Sequence, residues 1–247
     1  ELPDSGGSSS GRVLSITPRG GLKPIVSLDK AAAPCNQVSF DPLDPSLLCT
    51  SGNGSLSFWV REHSKGLNRL IRSDYSSLLP ADEERPQSAE STANHEIVYE
   101  KKLPLPGAPS FTVHQWSVNH TCFVGDTKGN VYSFDPFRRN PLGVWSLASK
   151  GVNSVTSLTL TQQCLIIGSG NGSVTWFDIE RQSILAAIDL AKGEICSLTL
   201  NQGLIVGATD GTIHTLPSVP PVSEPPKIVQ LTDFHSHPIT GMATLPG

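Results

Sequence analysis

Charge is scarce in this chain of 247 residues: 16% are charged, and 18 Lys and Arg stand against 22 Asp and Glu for a net charge of −4. Beyond Lys101-Lys102 and Arg138-Arg139 no basic residues cluster, so neither a nucleic-acid backbone nor an anionic membrane surface has a basic stripe to meet. No apolar run reaches 18 residues, and the N-terminal stretch lacks a charged-apolar-small leader pattern. Helix periodicity is missing too, since no long segment repeats its apolar residues at i, i+3, i+4 and i+7. The five cysteines, Cys35, Cys49, Cys122, Cys164 and Cys196, form no Cys-x-x-Cys pair. An odd, scattered set fits a reducing, cytosolic compartment better than a secreted disulfide framework.

Catalytic signatures are absent in the same way. No Gly-x-Ser-x-Gly, His-Glu-x-x-His, phosphate loop or calcium loop occurs. Of seven histidines only His235-Ser-His237, beside Asp233, has a ligand-like spacing, and it lacks the third and fourth partners of a zinc site. No cofactor or metal is expected. Sequons stand at Asn53, Asn119 and Asn171, but two of these are Asn-Gly turns followed by Ser, which is the better reading of them.

What the chain has in abundance is glycine and proline, 22 and 20 residues, and a turn that recurs. Four stretches end in a small or polar residue plus glycine and run into similar strands. The turns are Asn53-Gly54, Lys128-Gly129, Asn171-Gly172 and Asp210-Gly211, and the last three glycines lie 43 and 39 residues apart. Asn-Gly and Asp-Gly are strong hairpin signals, read here as two-residue turns with positive φ at the centre. A period near 40 with strand-turn-strand content is the pattern of a β-propeller, whose four-stranded blades take roughly 40–45 residues each. Two positions after each glycine stand Leu56, Val131, Val174 and Ile213; five positions after stand Trp59, Phe134, Phe177 and Leu216. Side chains alternate along a strand, so these two apolar columns lie on opposite faces, as stacked blades require.

The expected fold is therefore all-β: a propeller over 1–247 with four complete antiparallel blades and partial ones at both ends, five-bladed if the ends pair, and a piece of a longer protein if they do not. Arg12 to Ile16 and Pro24 to Leu28 read as the last strands of an earlier blade, and Ile239 to Met242 restarts the pattern. Gly54 and Gly129 are 75 residues apart, so the first blade carries an insertion, visible as the acidic stretch 73–95. That stretch holds too little apolar side chain to offset its ordering entropy and is expected to be disordered. It is also a candidate docking element. The outer strand of this blade is either Leu67 to Ile71 or Ile97 to Tyr99. A Pro-rich loop is expected at 217–226.

The endings Phe134-Asp135 and Phe177-Asp178, with Trp59 in the same column, resemble degenerate Trp-Asp endings of WD40 repeats. Phe234-His235-Ser-His237-Pro-Ile239 resembles the Gly-His entry to such a blade. The Gly-His pair is absent before three of the four blades and no blade ends in a literal Trp-Asp, so the hydrogen-bonded tetrad of WD repeats is expected to be mostly missing. The stretch Asn36 to Trp59 is similar to a blade of the large axonemal cilia- and flagella-associated WD-repeat proteins. This resemblance implies a non-catalytic scaffold of a cilium or flagellum that tethers or regulates dynein on microtubules beside another WD-repeat protein. Two other readings stand: a generic WD-repeat adaptor in trafficking or a nuclear complex, and a quinoprotein-like propeller enzyme, whose repeat the Cys164 to Leu185 stretch also resembles.

Overall fold

The structure is a computed structural model and describes residues 11–16, 22–28, 35–52, 55–64, 67–74, 110–137, 141–219, 228–232 and 237–242. A hairpin of β1 (Gly11–Ile16) and β2 (Leu22–Leu28) comes first. Four blades follow. Blade 1 holds β3 (Cys35–Phe40), β4 (Leu47–Gly52), β5 (Ser55–Ser64) and β6 (Leu67–Asp74); blade 2 holds β7 (Phe111–Trp116), β8 (Cys122–Asp126), β9 (Asn130–Phe134) and β10 (Pro141–Ser146). Blade 3 holds β11 (Val155–Leu160), β12 (Cys164–Ser169), β13 (Ser173–Asp178) and β14 (Ser183–Asp189); blade 4 holds β15 (Ile195–Leu200), β16 (Leu204–Ala208), β17 (Ile213–Leu216) and β18 (Val229–Thr232). Strands pair antiparallel in sequence order within each blade, and the first strands β3, β7, β11 and β15 lie side by side as the inner wall. Among the described residues, the 3-10 turn Ala148–Lys150 is the one helical element.

Three apolar seams hold the blades together, and the two columns read from the sequence supply them. Leu56 faces blade 2 and Phe134 faces blade 1, within a cluster that includes Phe58, Phe111 and Trp116. Val131 and Phe177 meet in the same way between blades 2 and 3, and Val174 and Leu216 between blades 3 and 4. Burial on both faces explains why β8, β12 and β13 are apolar or small nearly throughout, without the alternation of a half-exposed strand.

The turns differ from the expectation in one respect. Gly129, Gly172 and Gly211 have φ of 76°, 83° and 87°, while Lys128, Asn171 and Asp210 keep negative φ. Each glycine N–H donates to the carbonyl three residues earlier, Asp126, Ser169 and Ala208. These are three-residue loops, a turn closed by a left-handed glycine, rather than two-residue loops. Blade 1 departs further. Gly52 pairs with Ser55, so only positions 53 and 54, outside the described residues, separate its strands. The pentapeptide Ser-Gly-Asn-Gly-Ser occurs at 51–55 and at 169–173, yet β4 is slipped by one residue relative to β12.

The outer strand of blade 1 is β6, which extends past Ile71 to Asp74, so Ser73 and Asp74 of the expected insertion belong to the sheet. Residues 75–95 and Ile97 to Tyr99 lie outside the described residues, as do 220–226 of the Pro-rich loop. At the far end, Ile239 is buried, its N–H donates to the Ala208 carbonyl, and its side chain sits over Gly207. Val155 sits over Gly125 and Ile195 over Gly168 in the same manner, so Ile239 takes the seat of a further inner strand.

Candidate functional site

Strand direction alternates, so each blade sends two kinds of link to opposite faces of the propeller. The hairpins between second and third strands share one face with the connectors to the next blade. On this face the polar groups are used internally. Asn171 Nδ2 donates to the Gly151 carbonyl of the connector between blades 2 and 3 at 2.9 Å, and its Oδ1 accepts from Ser169 and Ser173 hydroxyls. Asp210 accepts from the Lys192 and Gly193 N–H groups of the connector between blades 3 and 4 and from the Thr212 N–H and hydroxyl. Partial burial raises the Asp210 carboxyl, but these donors outweigh it and leave the group below the usual carboxylate range. Gly172 lies under a connector so closely that a Cβ would come 2.0 Å from the Ala191 carbonyl oxygen. The glycine is required by its φ and by this approach alike.

Asp126 is fully buried in the blade 2 hairpin and accepts from the Lys128 and Asn130 N–H groups, the Asn130 amide and the Tyr132 hydroxyl at 2.8–3.0 Å. Burial, then the adjacent Asp126 charge, pushes the Tyr132 phenol well above its ordinary value. His114 is another buried titratable group with partners on both of its ring nitrogens. Its Nε2 meets Ser39 Oγ at 2.7 Å and its Nδ1 meets Ser51 Oγ at 2.8 Å, so a neutral ring donates to one hydroxyl and accepts from the other. Burial lowers its pKa to about 4. Both groups are locked into the framework rather than presented to a ligand.

The opposite face carries the links between first and second and between third and fourth strands. Between blades 2 and 3 it opens into a cavity of about 1100 Å³. Its wall is aromatic: Trp145 lies 6.4 Å from Phe123 in a stacked arrangement and 5.5 Å from Phe177. Gly143 makes room for this ring, because a Cβ there would come 2.8 Å from it. Trp116 forms another part of the lining. The rim exposes apolar side chains, Val118 at 75%, Leu142 at 50%, Leu185 at 43% and Val219 at 42%. Gln115, Asn119, Gln162, Gln163 and Glu180 alternate with them. The groove thus sets exposed apolar side chains among polar and charged ones.

Other residues singled out in the sequence serve the framework. Trp59 Nε1 donates to Thr50 Oγ1 at 2.9 Å, whereas Trp176 Nε1 donates to the Ser218 carbonyl. Asp135 accepts from the Phe137 N–H and Asp178 from the Arg181 N–H, closing the turns after their strands. Asp178 and Arg181 also form part of the groove lining. Asn53, Gly54 and His235 lie outside the described residues. The sequence reading missed His114 and the groove; the available signal was a histidine standing where the other inner strands place Leu158 and Leu198.

The geometry defines a β-propeller of four-stranded blades, and solved structures agree. The chain is similar to one in a crystal structure of a mitotic checkpoint complex, with a TM-score of 0.59 and 16% identity over 85% of this chain and 55% of the other. It is similar to Sqt1 of Saccharomyces cerevisiae, with a TM-score of 0.66 and 11% identity over 94% of this chain and 58% of Sqt1. It is also similar to the computationally designed Ika4 protein, with a TM-score of 0.51 and 16% identity over 78% of this chain and 96% of Ika4. The first two neighbours are WD40 β-propellers, and this chain spans little more than half of their length. No family model matches the sequence, and no curated protein matches it.

Proposed function

We propose that this chain is a non-catalytic protein-docking scaffold, and that its place is a ciliary or flagellar axonemal complex in which it tethers or regulates dynein beside another WD-repeat protein. The observation that carries the docking part is the groove between blades 2 and 3, where apolar side chains stand open while the buried His114 and Asp126 are hydrogen-bonded internally. A rigid disc with loops on both faces binds partners by shape, without reacting groups. The axonemal part is supported by the resemblance of Asn36 to Trp59.

Proximity labelling in ciliated cells tests both parts at once. Wild-type protein is expected to label axonemal neighbours, including dynein and microtubule components. Val118→Asp with Leu185→Asp, both on exposed rim positions, is expected to lose those neighbours with an unchanged melting temperature. Neighbours from trafficking or nuclear complexes would overturn the ciliary assignment. Unchanged labelling by the double variant would overturn the groove. An absorbance scan and metal analysis of the purified protein address the quinoprotein reading.

A further inference from the structure

The geometry points to a covalent modification site across the seam between blades 1 and 2: Cys49 and Cys122 are set to form a disulfide that staples the two blades. Cys49 lies on β4 and Cys122 on β8, and their sulfurs stand 3.8 Å apart, in van der Waals contact. Both are fully buried in the cluster with Leu47, Phe58, Trp116 and Phe134. The sulfurs approach from facing blades, so a bond between them joins two separate sheets rather than neighbours in one strand pair.

This seam has a use for a covalent link that the other seams lack. Only 8 residues (147–154) connect the last strand of blade 2 to the first of blade 3, and 5 residues (190–194) connect blades 3 and 4. Between blades 1 and 2 the connection is 36 residues long (75–110). A long connection holds its ends at a lower effective concentration, so blade 1 is the blade least tied to its neighbour by the chain itself. A Cys49–Cys122 bond adds a direct link across the seam with the longest connection.

Burial pushes the Cys49 thiol well above its usual range, with the adjacent Cys122 adding to the effect, and neither sulfur is open to a reagent while the seam is closed. Reaction therefore follows opening of the seam. One exposed thiol loses its proton and its thiolate attacks a small disulfide of the glutathione class, forming a mixed disulfide and releasing one small thiol. The second cysteine, as thiolate, attacks the protein-side sulfur of the mixed disulfide and releases a second small thiol. Two protein thiols are oxidised to one disulfide while one small disulfide is reduced to two thiols, and protons balance between the cysteines and the departing thiols. In a reducing compartment such a bond is transient and responds to the redox state.

The test incubates the purified chain at pH 8 with oxidised glutathione, with and without sub-denaturing urea, and reads intact mass and non-reduced peptide maps. The expected result is a loss of about 2 Da, assigned to a Cys49–Cys122 peptide pair, faster with urea and reversed by dithiothreitol. The oxidised protein is expected to melt several degrees higher, about 5 °C or more for a cross-link that closes so long a loop. Cys35→Ser, an exposed site on β3, is expected to leave the bond intact, whereas Cys49→Ser or Cys122→Ser abolishes it. Glutathione adducts that never resolve, or a preferred Cys35–Cys49 pair, would overturn the proposal, and both readouts come from the wild-type chain.

Discussion

Between blades 3 and 4, Ile195 packs over Gly168 and Leu198 joins the apolar cluster at the seam. Between blades 1 and 2 the same two positions hold polar residues: Ser51 stands in the column of Gly125, Gly168 and Gly207, each opposite the residue two after the turn glycine, and His114 stands in the column of Leu158 and Leu198. Ser51 and His114 hydrogen-bond each other across the seam, and Ser39 takes the second ring nitrogen. Gln37 adds a two-point contact, donating to the His114 carbonyl at 2.9 Å and accepting from its N–H at 2.7 Å. At the far end of the seam, Asp41 and His120 Nδ1 meet at 2.6 Å. The first seam thus adds a side-chain hydrogen-bond network to its apolar cluster, at positions where the third seam is apolar. Apolar stacking tolerates small shifts, whereas hydrogen bonds with fixed geometry do not. The first seam is the one with the longest connection, so its bonds supply a register that a short connector supplies elsewhere.

The largest expected effect breaks the apolar side of the comparison. Gly172→Val meets both a φ of 83° and the Ala191 carbonyl, and strain plus overpacking together cost about 4 kcal/mol. Urea unfolding checks this against Lys128→Ala, an exposed turn position expected to stay within about 0.5 kcal/mol of wild type. Equal midpoints for the two variants would contradict the register of the blade 3 hairpin.

The polar side breaks at His114. His114→Ala removes a buried ring and leaves two serine hydroxyls without it, at a cost of about 3 kcal/mol. Ser51→Gly with His114→Leu rebuilds the pattern of the other seams and is expected to recover more than half of that loss. The sum of the single variants would then overstate the double, a coupling that a double-mutant cycle reads directly. Strict additivity would show that the two side chains do not act as a pair.

The same histidine gives the first seam a pH dependence of its own. Its pKa falls from 6.5 unfolded to about 4 folded, so the unfolded chain takes up the proton first. Stability is complete above pH 6.5, is lost as pH falls toward 4, and levels off below that. The integrated effect is about 3 kcal/mol at most, since solvent entering the seam relaxes the shift. The difference between wild type and His114→Leu across that window isolates it from the carboxylates. Parallel pH profiles would show that folding does not shift the pKa of the ring.

The architecture was legible because two apolar columns and a glycine turn repeat through three blades, and repetition makes burial on both faces visible in one dimension. Blade 1 shows where that stops. Ser51 to Ser55 and Ser169 to Ser173 are the same pentapeptide, yet Ser169 bonds Ser173 within its own hairpin while Ser51 turns to His114 of the next blade. A partner 63 residues away decides the local register, and no turn rule contains it. The groove was hidden for a related reason. Val118, Leu142 and Leu185 belong to two blades, and each taken singly is an ordinary exposed apolar residue. Only stacking of the blades sets them around the Trp145 wall.

The smallest expected effect sharpens the comparison at the inner wall. The second residue of each inner strand donates to the first carbonyl of the next: Asn36 to Phe111, Thr112 to Val155, Thr156 to Ile195, Cys196 to Ile239. Thr156 Oγ1 reaches both Ile195 and Gly168 carbonyls, at 2.7 and 3.1 Å. Thr156→Val keeps the shape and removes the donor, so it isolates the hydrogen bonds at a cost of about 1 kcal/mol. Asn36→Ala removes the equivalent donor from the polar seam, where Gln37 already satisfies the adjacent His114 backbone and Asn36 itself is exposed. Its cost is expected to be smaller, about 0.5 kcal/mol. The order of the two, read from urea midpoints at constant slope, is the informative quantity. If Asn36→Ala cost more than Thr156→Val, the first seam would depend on each of its bonds separately, and the shared network of His114, Ser39, Ser51 and Gln37 would not be what sets its register.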